Sequence, residues 1–277
     1  MIFIMQYLWL VPLGVFIGAF GTLIGAGGGF MLVPILLLVY PQEQPATLTA
    51  ISLGVVCFNA TSGSISYARM GRVDFRSGLL FLLTGIPGAI AGAYLVHYIP
   101  RHTFEVVFGC LMVAAGAFIF FRSYGPHERT RAGQMGFHRE LIDAEGHRHE
   151  WSYNLAAGMT LSAFVGLASS ILGIGGGIIH VPAMVSLLNF PVHFATATSH
   201  FILAAMSLAG TIEHIADGTL GRPQAARLVA IGLGAMVGAQ IGARLSRRIH
   251  GRWIMKSLAV ALGLVGVRIL VAAAMSR

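Results

Sequence analysis

Two glycine clusters, Gly25, Gly27, Gly28 and Gly29 in GAGGG and Gly173, Gly175, Gly176 and Gly177 in GIGGG, each stand just before a short apolar stretch. Backbone N–H groups at a helix start, backed by the positive end of the helix dipole, form an anion site. Glycine lets a ligand approach closely because it has no side chain. Because it carries no full charge, the anion is held without being trapped. Polar residues at helical spacing complete the set: Thr49, Ser52, Asn59, Gly63 and Ser66 share one helix face, and Thr196, Ser199, Gly210 and Glu213 the corresponding face of another. We take Ser52, Asn59 and Ser199 as substrate-binding candidates, with His200, whose imidazole can pair with an anion or relay a proton. Thr49, Ser66 and Thr196 are expected in interhelical hydrogen bonds. Glu213 and His214 form a candidate proton-coupling pair.

Other chemistries fit less well. The glycine spacing superficially matches a dinucleotide fingerprint, but no strand precedes it and no Gly-Lys-Ser/Thr ending marks a nucleotide loop. Cys57 and Cys110 both fall in long apolar runs, and neither a disulfide framework nor metal-ligand spacing is present. His138, His147 and His149 with Glu140, Asp143 and Glu145 match no specific metal site. No cofactor and no metal is therefore expected. An intramembrane serine hydrolase, using Ser169 or Ser199 with His200 or His214, is the alternative from another class, although no serine stands in a recognisable nucleophile elbow. A structural or assembly membrane protein is the third reading.

The elements that must position these residues are membrane segments. Of 277 residues, 56% are hydrophobic and 10% charged, far below the roughly 25% charged of a soluble domain. The net charge of +8 is that of a membrane protein with basic cytoplasmic loops, not of a nucleic-acid binder. Apolar runs long enough to cross a bilayer lie near 3–24, 47–68, 77–98, 103–121, 153–172, 194–215, 225–245 and 253–274. The stretches 29–40 and 177–188 hold about 12 residues, roughly 18 Å of helix, and read as half-helices. The N-terminus has no basic n-region or cleavage site and is read as retained structure. The hydrophilic stretch 122–151 divides the chain into a first transmembrane repeat, 1–121, a solvated cytoplasmic connector, and a second repeat, 152–277.

The halves match. Gly18, Gly25, Gly27, Gly28, Gly29, Val33 and Pro34 align with Gly166, Gly173, Gly175, Gly176, Gly177, Val181 and Pro182 at an offset of 148. Ser52, Gly63, Tyr67 and Gly71 align with Ser199, Gly210, His214 and Gly218 at 147. Paired repeats with a glycine-broken short segment at the same place point to a secondary transporter whose site lies near the midplane. Close packing explains Gly14/Gly18, Gly88/Gly92 and Gly238/Gly242. It does not explain three consecutive glycines, which break a helix at about 1 kcal/mol each. Thirteen basic residues lie in 69–76, 122–151 and 244–256, against Arg101, Arg222, Arg227 and Arg277 on the other face. The basic loops exchange between the halves, as inverted repeats require, and place both termini outside. Arg268 is expected to snorkel toward the interface. The expected fold is therefore an all-α polytopic membrane protein of two inverted repeats, each of about five membrane segments with glycine-broken half-helices. It is preferred to a four-plus-four arrangement with re-entrant loops, which would make the repeats parallel and put basic loops on both faces.

The doubled signature, GTLIGAGGGFMLVP with ATLTAISL and SSILGIGGGIIHVP with ATATSH, resembles the TauE/SafE sulfite-exporter family over nearly the whole chain outside 122–151. That resemblance implies outward secondary transport of small sulfur oxyanions or organosulfonates, such as sulfite, thiosulfate or sulfoacetate, across the bacterial inner membrane. The expected partners are a small anionic substrate and membrane lipid, with no nucleic acid; a homodimer is left open. His200 stands where the first repeat has Leu53, so substrate contact there is expected to be asymmetric.

Overall fold

A computed structural model describes residues 7, 9–121, 136–246, 248 and 251–275. The chain is an all-α polytopic membrane protein. Its helices are α1 (Leu10–Ile24), α2 (Gly29–Val39), α3 (Pro45–Arg69), α4 (Phe75–Leu95), α5 (Arg101–Phe121), α6 (Leu155–Leu172), α7 (Gly177–Leu187), α8 (Val192–Ala216), α9 (Arg222–Ser246) and α10 (Gly251–Met275). Among the described residues seven segments are long and apolar enough to cross a membrane: α3, α4 with the turn Val96–Tyr98, α5, α6, α8, α9, and Lys256–Met275 within α10. The expected 3–24 span is a helix only over Leu10–Ile24, about 22 Å long, and its first residues lie outside the described set.

Two ends of the molecule can be told apart by their contacts. At one end Arg227 pairs with Glu43 at 2.9 Å, stacks on Tyr40 at 3.9 Å, and meets Tyr7. Arg101 caps α2 there by donating to the carbonyls of Leu37, Pro41 and Glu43, and it pairs with Glu105. The start of α1 and the end of α2 therefore lie together, so α1 and α2 form a hairpin that enters and leaves by this end. At the other end Asn189 donates to the Ser152 carbonyl and Trp151 packs on Phe190, so α6 and α7 enter and leave there. The two hairpins thus turn back inside the protein, one from each end. Loops 41–44 and 188–191, equivalent in the alignment of the halves, lie at opposite ends, and so do 70–74 and 217–221.

Small residues let the helices approach. A side-chain carbon at Gly14 would lie 2.1 Å from the Ile231 carbonyl oxygen, and one at Gly238 2.1 Å from that of Val15, so α1 and α9 pack backbone to backbone. Gly88 and Gly92 meet the Ala163 and Leu167 carbonyls in the same way between α4 and α6. The pairs α1/α9 and α4/α6 are exchanged partners: each joins the first helix of one half to the fourth of the other. The helices α3 and α8 are antiparallel neighbours and the most buried of the crossing helices. Their extra polar content is carried inside: Ser66 Oγ donates to Gln240 Oε1 at 2.5 Å, while Thr49 Oγ1 bonds to Ala46 of its own helix instead of to a neighbour.

The stretch 122–151 departs from a purely solvated connector. Residues 122–135 lie outside the described set, but β1 (Phe137–Ile142) and β2 (Arg148–Tyr153) pair antiparallel, Phe137 opposite Tyr153 and Ile142 opposite Arg148. Trp151 and Tyr153 are buried against Phe81, Phe190 and Phe194. Partial burial pushes the Asp143 carboxyl up, but the N–H groups of His147 and Glu145 and the His149 imidazole outweigh it and hold it at about 2. The acids and histidines of the turn thus close the hairpin. A second anchor is Asp74, fully buried, which caps α4 through Ser77 N and takes a two-pronged bond from Arg139 at 2.7 and 2.8 Å. Removing Arg139 leaves a buried carboxylate without its cation. We expect Arg139→Ala to lower stability by about 3 kcal/mol and Arg139→Ala with Asp74→Asn by clearly less. Thermal midpoints of the purified protein check this, and equal losses would refute it.

Candidate functional site

The site is built by glycine backbone. Gly25 ends α1 with φ 85° and Gly28 begins α2 with φ 82°; Gly173 and Gly176 do the same for α6 and α7 at 67° and 89°, and Gly27 and Gly175 lie between them at 73° and 77°. All six are left-handed, where any other L-residue is strained. Each loop also fills the space the other leaves. A side-chain carbon at Gly29 would lie 2.6 Å from the Gly173 carbonyl oxygen, and one at Gly177 2.2 Å from that of Gly25. One at Gly25 would strike the Thr196 backbone and one at Gly173 the Thr49 backbone. All eight candidate glycines are buried at this crossing.

Some of the loop donors are already used. Ala26 N and Gly27 N both donate to Gly21 O, at 2.8 and 3.2 Å, and Ile174 N donates to Ser169 O at 3.0 Å, closing the ends of α1 and α6. The N–H groups of Gly29 and Phe30 in α2, and of Gly177 and Ile178 in α7, belong to first turns and have no acceptor within their own helix.

Side chains from α3 and α8 converge on the loops. Ser52 Oγ donates to the Gly173 carbonyl at 2.6 Å, and Asn59 Nδ2 to the Gly27 carbonyl at 3.0 Å. Thr22 Oγ1 donates to Asn59 Oδ1 at 2.9 Å and lies 3.2 Å from His200 Nε2; the Tyr67 hydroxyl donates to the Thr22 carbonyl at 2.7 Å. The His200 ring is set against the backbone of Gly25 and Thr196 and stands edge-on to Tyr67. Gly63 makes room for it, since a carbon there would lie 2.6 Å from the ring. The hydroxyls of Ser199 and Thr196 are buried with no hydrogen bond. The structure thus brings Ser52, Asn59 and His200 to the glycine crossing and adds Thr22 and Tyr67, while Ser199 is buried next to His200 in α8 without a bond to either loop.

These two were missed, although Thr22 lies inside GTLIGAGGG, three residues before Gly25, where a helix-face count from the glycines would have found it. Also missed is His180 of α7, fully buried beside Phe81 with both ring nitrogens unbonded. Its signal was an imidazole inside the apolar run GGGIIHVP. Glu213 and His214 are not at the crossing. They lie at the far end of α8, and His214 faces His97 and Asp217.

Chemically the crossing offers hydroxyls, amides and an imidazole but no fixed charge. Among the described residues the buried charged side chains are Arg72 and Asp74, both at the β-hairpin end. Arg268 lines a separate cleft of about 450 Å³ with Arg101, His102 and Glu105 at the other end. Because the loops touch, Gly29→Ala and Gly177→Ala should each abolish folded, monodisperse protein. Gly263→Ala, with open space beside it, should be tolerated. Size-exclusion profiles in detergent decide, and a well-folded Gly177→Ala would show that the loops do not bear on each other.

Comparison with known proteins places this arrangement. Residues 10–269 match the family model described as sulfite exporter TauE/SafE. The chain is similar to the probable membrane transporter protein YunE of Bacillus subtilis (strain 168), 31% identical over 272 residues, which cover 96% of this chain and 98% of that one. A probable membrane transporter protein of Xylella fastidiosa (strain Temecula1) is 26% identical, covering 69% of this chain and 67% of that one. One from Methanocaldococcus jannaschii is 23% identical, covering 78% and 76%. No solved structure matches. With paired glycine loops breaking buried helices and a match that runs from the first described helix to the last, the chain belongs to the TauE/SafE sulfite exporter family of membrane transporters.

Proposed function

We propose that this protein is a proton-linked secondary transporter that exports small sulfur-containing anions, such as sulfite, thiosulfate or an organosulfonate, across the bacterial inner membrane by alternating access. The observation that carries this reading is the meeting of two glycine loops from oppositely entering hairpins, inside the protein and lined by uncharged donors. Irregular backbone at that depth is tolerated only where protein buries it or a cavity hydrates it. The free first-turn N–H groups of α2 and α7 hold the oxyanion, and the Ser199 and Thr196 hydroxyls add donors that have no other partner.

The loops touch in this arrangement, so substrate enters only when they part. We read the halves as inverted repeats that rock against each other, which exposes the crossing to one end and then the other. Supporting this are the exchanged helix pairs and the equivalent loops found at opposite ends. The β-hairpin end carries the basic loops and is read as cytoplasmic, with both termini outside. His200, reaching the network through Thr22, is the proton relay. Nothing among the described residues argues for a homodimer.

A serine hydrolase would need a serine hydrogen-bonded to its base. Ser169 Oγ instead donates to Gly166 O, Ser199 Oγ has no hydrogen bond, and the Nε2 of His200 faces Thr22.

Flux into proteoliposomes tests the reading. Labelled sulfite, thiosulfate or sulfoacetate should be transported and accelerated by a pH gradient. Ser199→Ala should cut the rate by about tenfold, equivalent to about 1.4 kcal/mol. His200→Leu, which copies Leu53, should leave downhill flux but abolish its response to the pH gradient. Absence of flux for every small anion, or covalent labelling of a serine by a fluorophosphonate probe, would overturn it.

A further inference from the structure

Away from the glycine crossing, three side chains meet at the end opposite the β-hairpin. His97 belongs to the short turn after α4, in the first half of the chain; His214 is in the last turn of α8, and Asp217 follows it, in the second half. Their donor atoms all lie within 4.8 Å of one another. His97 Nε2 is 3.2 Å and His214 Nδ1 3.5 Å from the same oxygen, Asp217 Oδ2. Two ligands of a tetrahedral zinc ion, each about 2.0–2.1 Å from the metal, are about 3.3 Å apart. The observed separations bracket that value.

The surrounding bonds aim these atoms. His97 Nδ1 is 3.2 Å from the Tyr94 carbonyl, which can only accept, so Nδ1 carries the proton and the Nε2 lone pair faces Asp217 and the Thr219 hydroxyl, 3.0 Å away, which a metal ion would displace. Asp217 Oδ1 accepts from Thr219 N at 2.8 Å and the Thr219 hydroxyl also bonds the carboxylate, while Oδ2 is the oxygen nearest both histidines. The His214 side chain is fully buried; its Nδ1 has only the long 3.5 Å approach to Asp217 Oδ2, and its Nε2 has no hydrogen bond. A buried imidazole held by no more than one long approach to a carboxylate is the feature that packing alone does not explain.

We propose that His97 Nε2, His214 Nδ1 and Asp217 Oδ2 form a binding site for a divalent transition-metal ion of the zinc class. Two imidazoles and one carboxylate favour zinc, cobalt or nickel over the oxygen-seeking magnesium and calcium. His97 and Asp217 are both exposed residues, which leaves a side open for a water as fourth ligand and gives the ion a way in. A bound ion ties the α4 end of the first half to the α8 end of the second. The site stands whatever crosses the membrane.

The test uses the full chain, without a polyhistidine tag, in detergent micelles. Titrated cobalt(II) should give the visible bands of a four-coordinate ion at one equivalent per chain, and zinc should displace it and raise the thermal midpoint. His97→Ala, His214→Ala and Asp217→Asn should each weaken binding by at least about 100-fold, exceeding the loss typical of an outer-shell change. His147→Ala, in the hairpin turn, should leave binding unchanged. Asp217→Asn is nearly isosteric and serves as the folded control, with a metal-free midpoint close to that of the parent chain. Absence of a cobalt spectrum in the parent chain, or a spectrum that persists in Asp217→Asn and His97→Ala, overturns the proposal.

Discussion

The constraint on which the rest of the structure depends is that two peptide backbones occupy the space that side chains would otherwise fill. Gly29 lies against Gly173, and Gly177 against Gly25. Each contact needs glycine twice, once for a left-handed turn and once for a surface with no Cβ. Breaking α1 from α2 and α6 from α7 leaves polar peptide groups deep in an apolar region. Such a break survives only because protein encloses it. Enclosure needs close neighbours, and these come from α9 packed on α1 and α4 packed on α6, again through glycine. The central pair α3 and α8 then carries the side chains that bind the loop carbonyls.

The two halves share a backbone design but not the same polar content. Thr22, Asn59 and His200 form one connected network; the aligned positions hold Ser170, Met206 and Leu53, with the Ser170 hydroxyl unbonded. The crossing thus has one imidazole, on one side, although the glycine loops come in a matched pair. Tyr67 and His214, also aligned, have diverged further. The tyrosine donates into the central network, while the histidine at the other end turns to His97 and Asp217.

Much of the fold was legible because membrane spans are written in composition. An apolar run of twenty residues has one physical solution in lipid, and the glycine runs had to break whatever helix contained them. That the eight glycines meet Ser52, Asn59 and the His200 network was legible from the repeated motif and helical spacing. Thr22 was not singled out, because a threonine in an apolar helix leaves the same mark whether it bonds its own backbone, as Thr49 does, or an asparagine on another helix. The β-hairpin escaped for a related reason. Its strands alternate half-buried and exposed residues, and only the docking of Trp151 and Tyr153 onto Phe81, Phe190 and Phe194 makes that pattern stable.

The sequence by itself determined that this is a membrane protein with helices broken at two matched glycine clusters. Period, composition and backbone propensity act within a few residues and need no partner. Only the tertiary structure decided that the two hairpins come from opposite ends, that their tips touch, that Asp74 takes Arg139 from the connector, and that His97 meets His214 and Asp217. These are contacts between residues roughly 65 to 150 positions apart in the chain. Nothing local encodes them. They follow from which helix faces can approach closely enough to bury one another, a condition met only once the whole bundle is assembled.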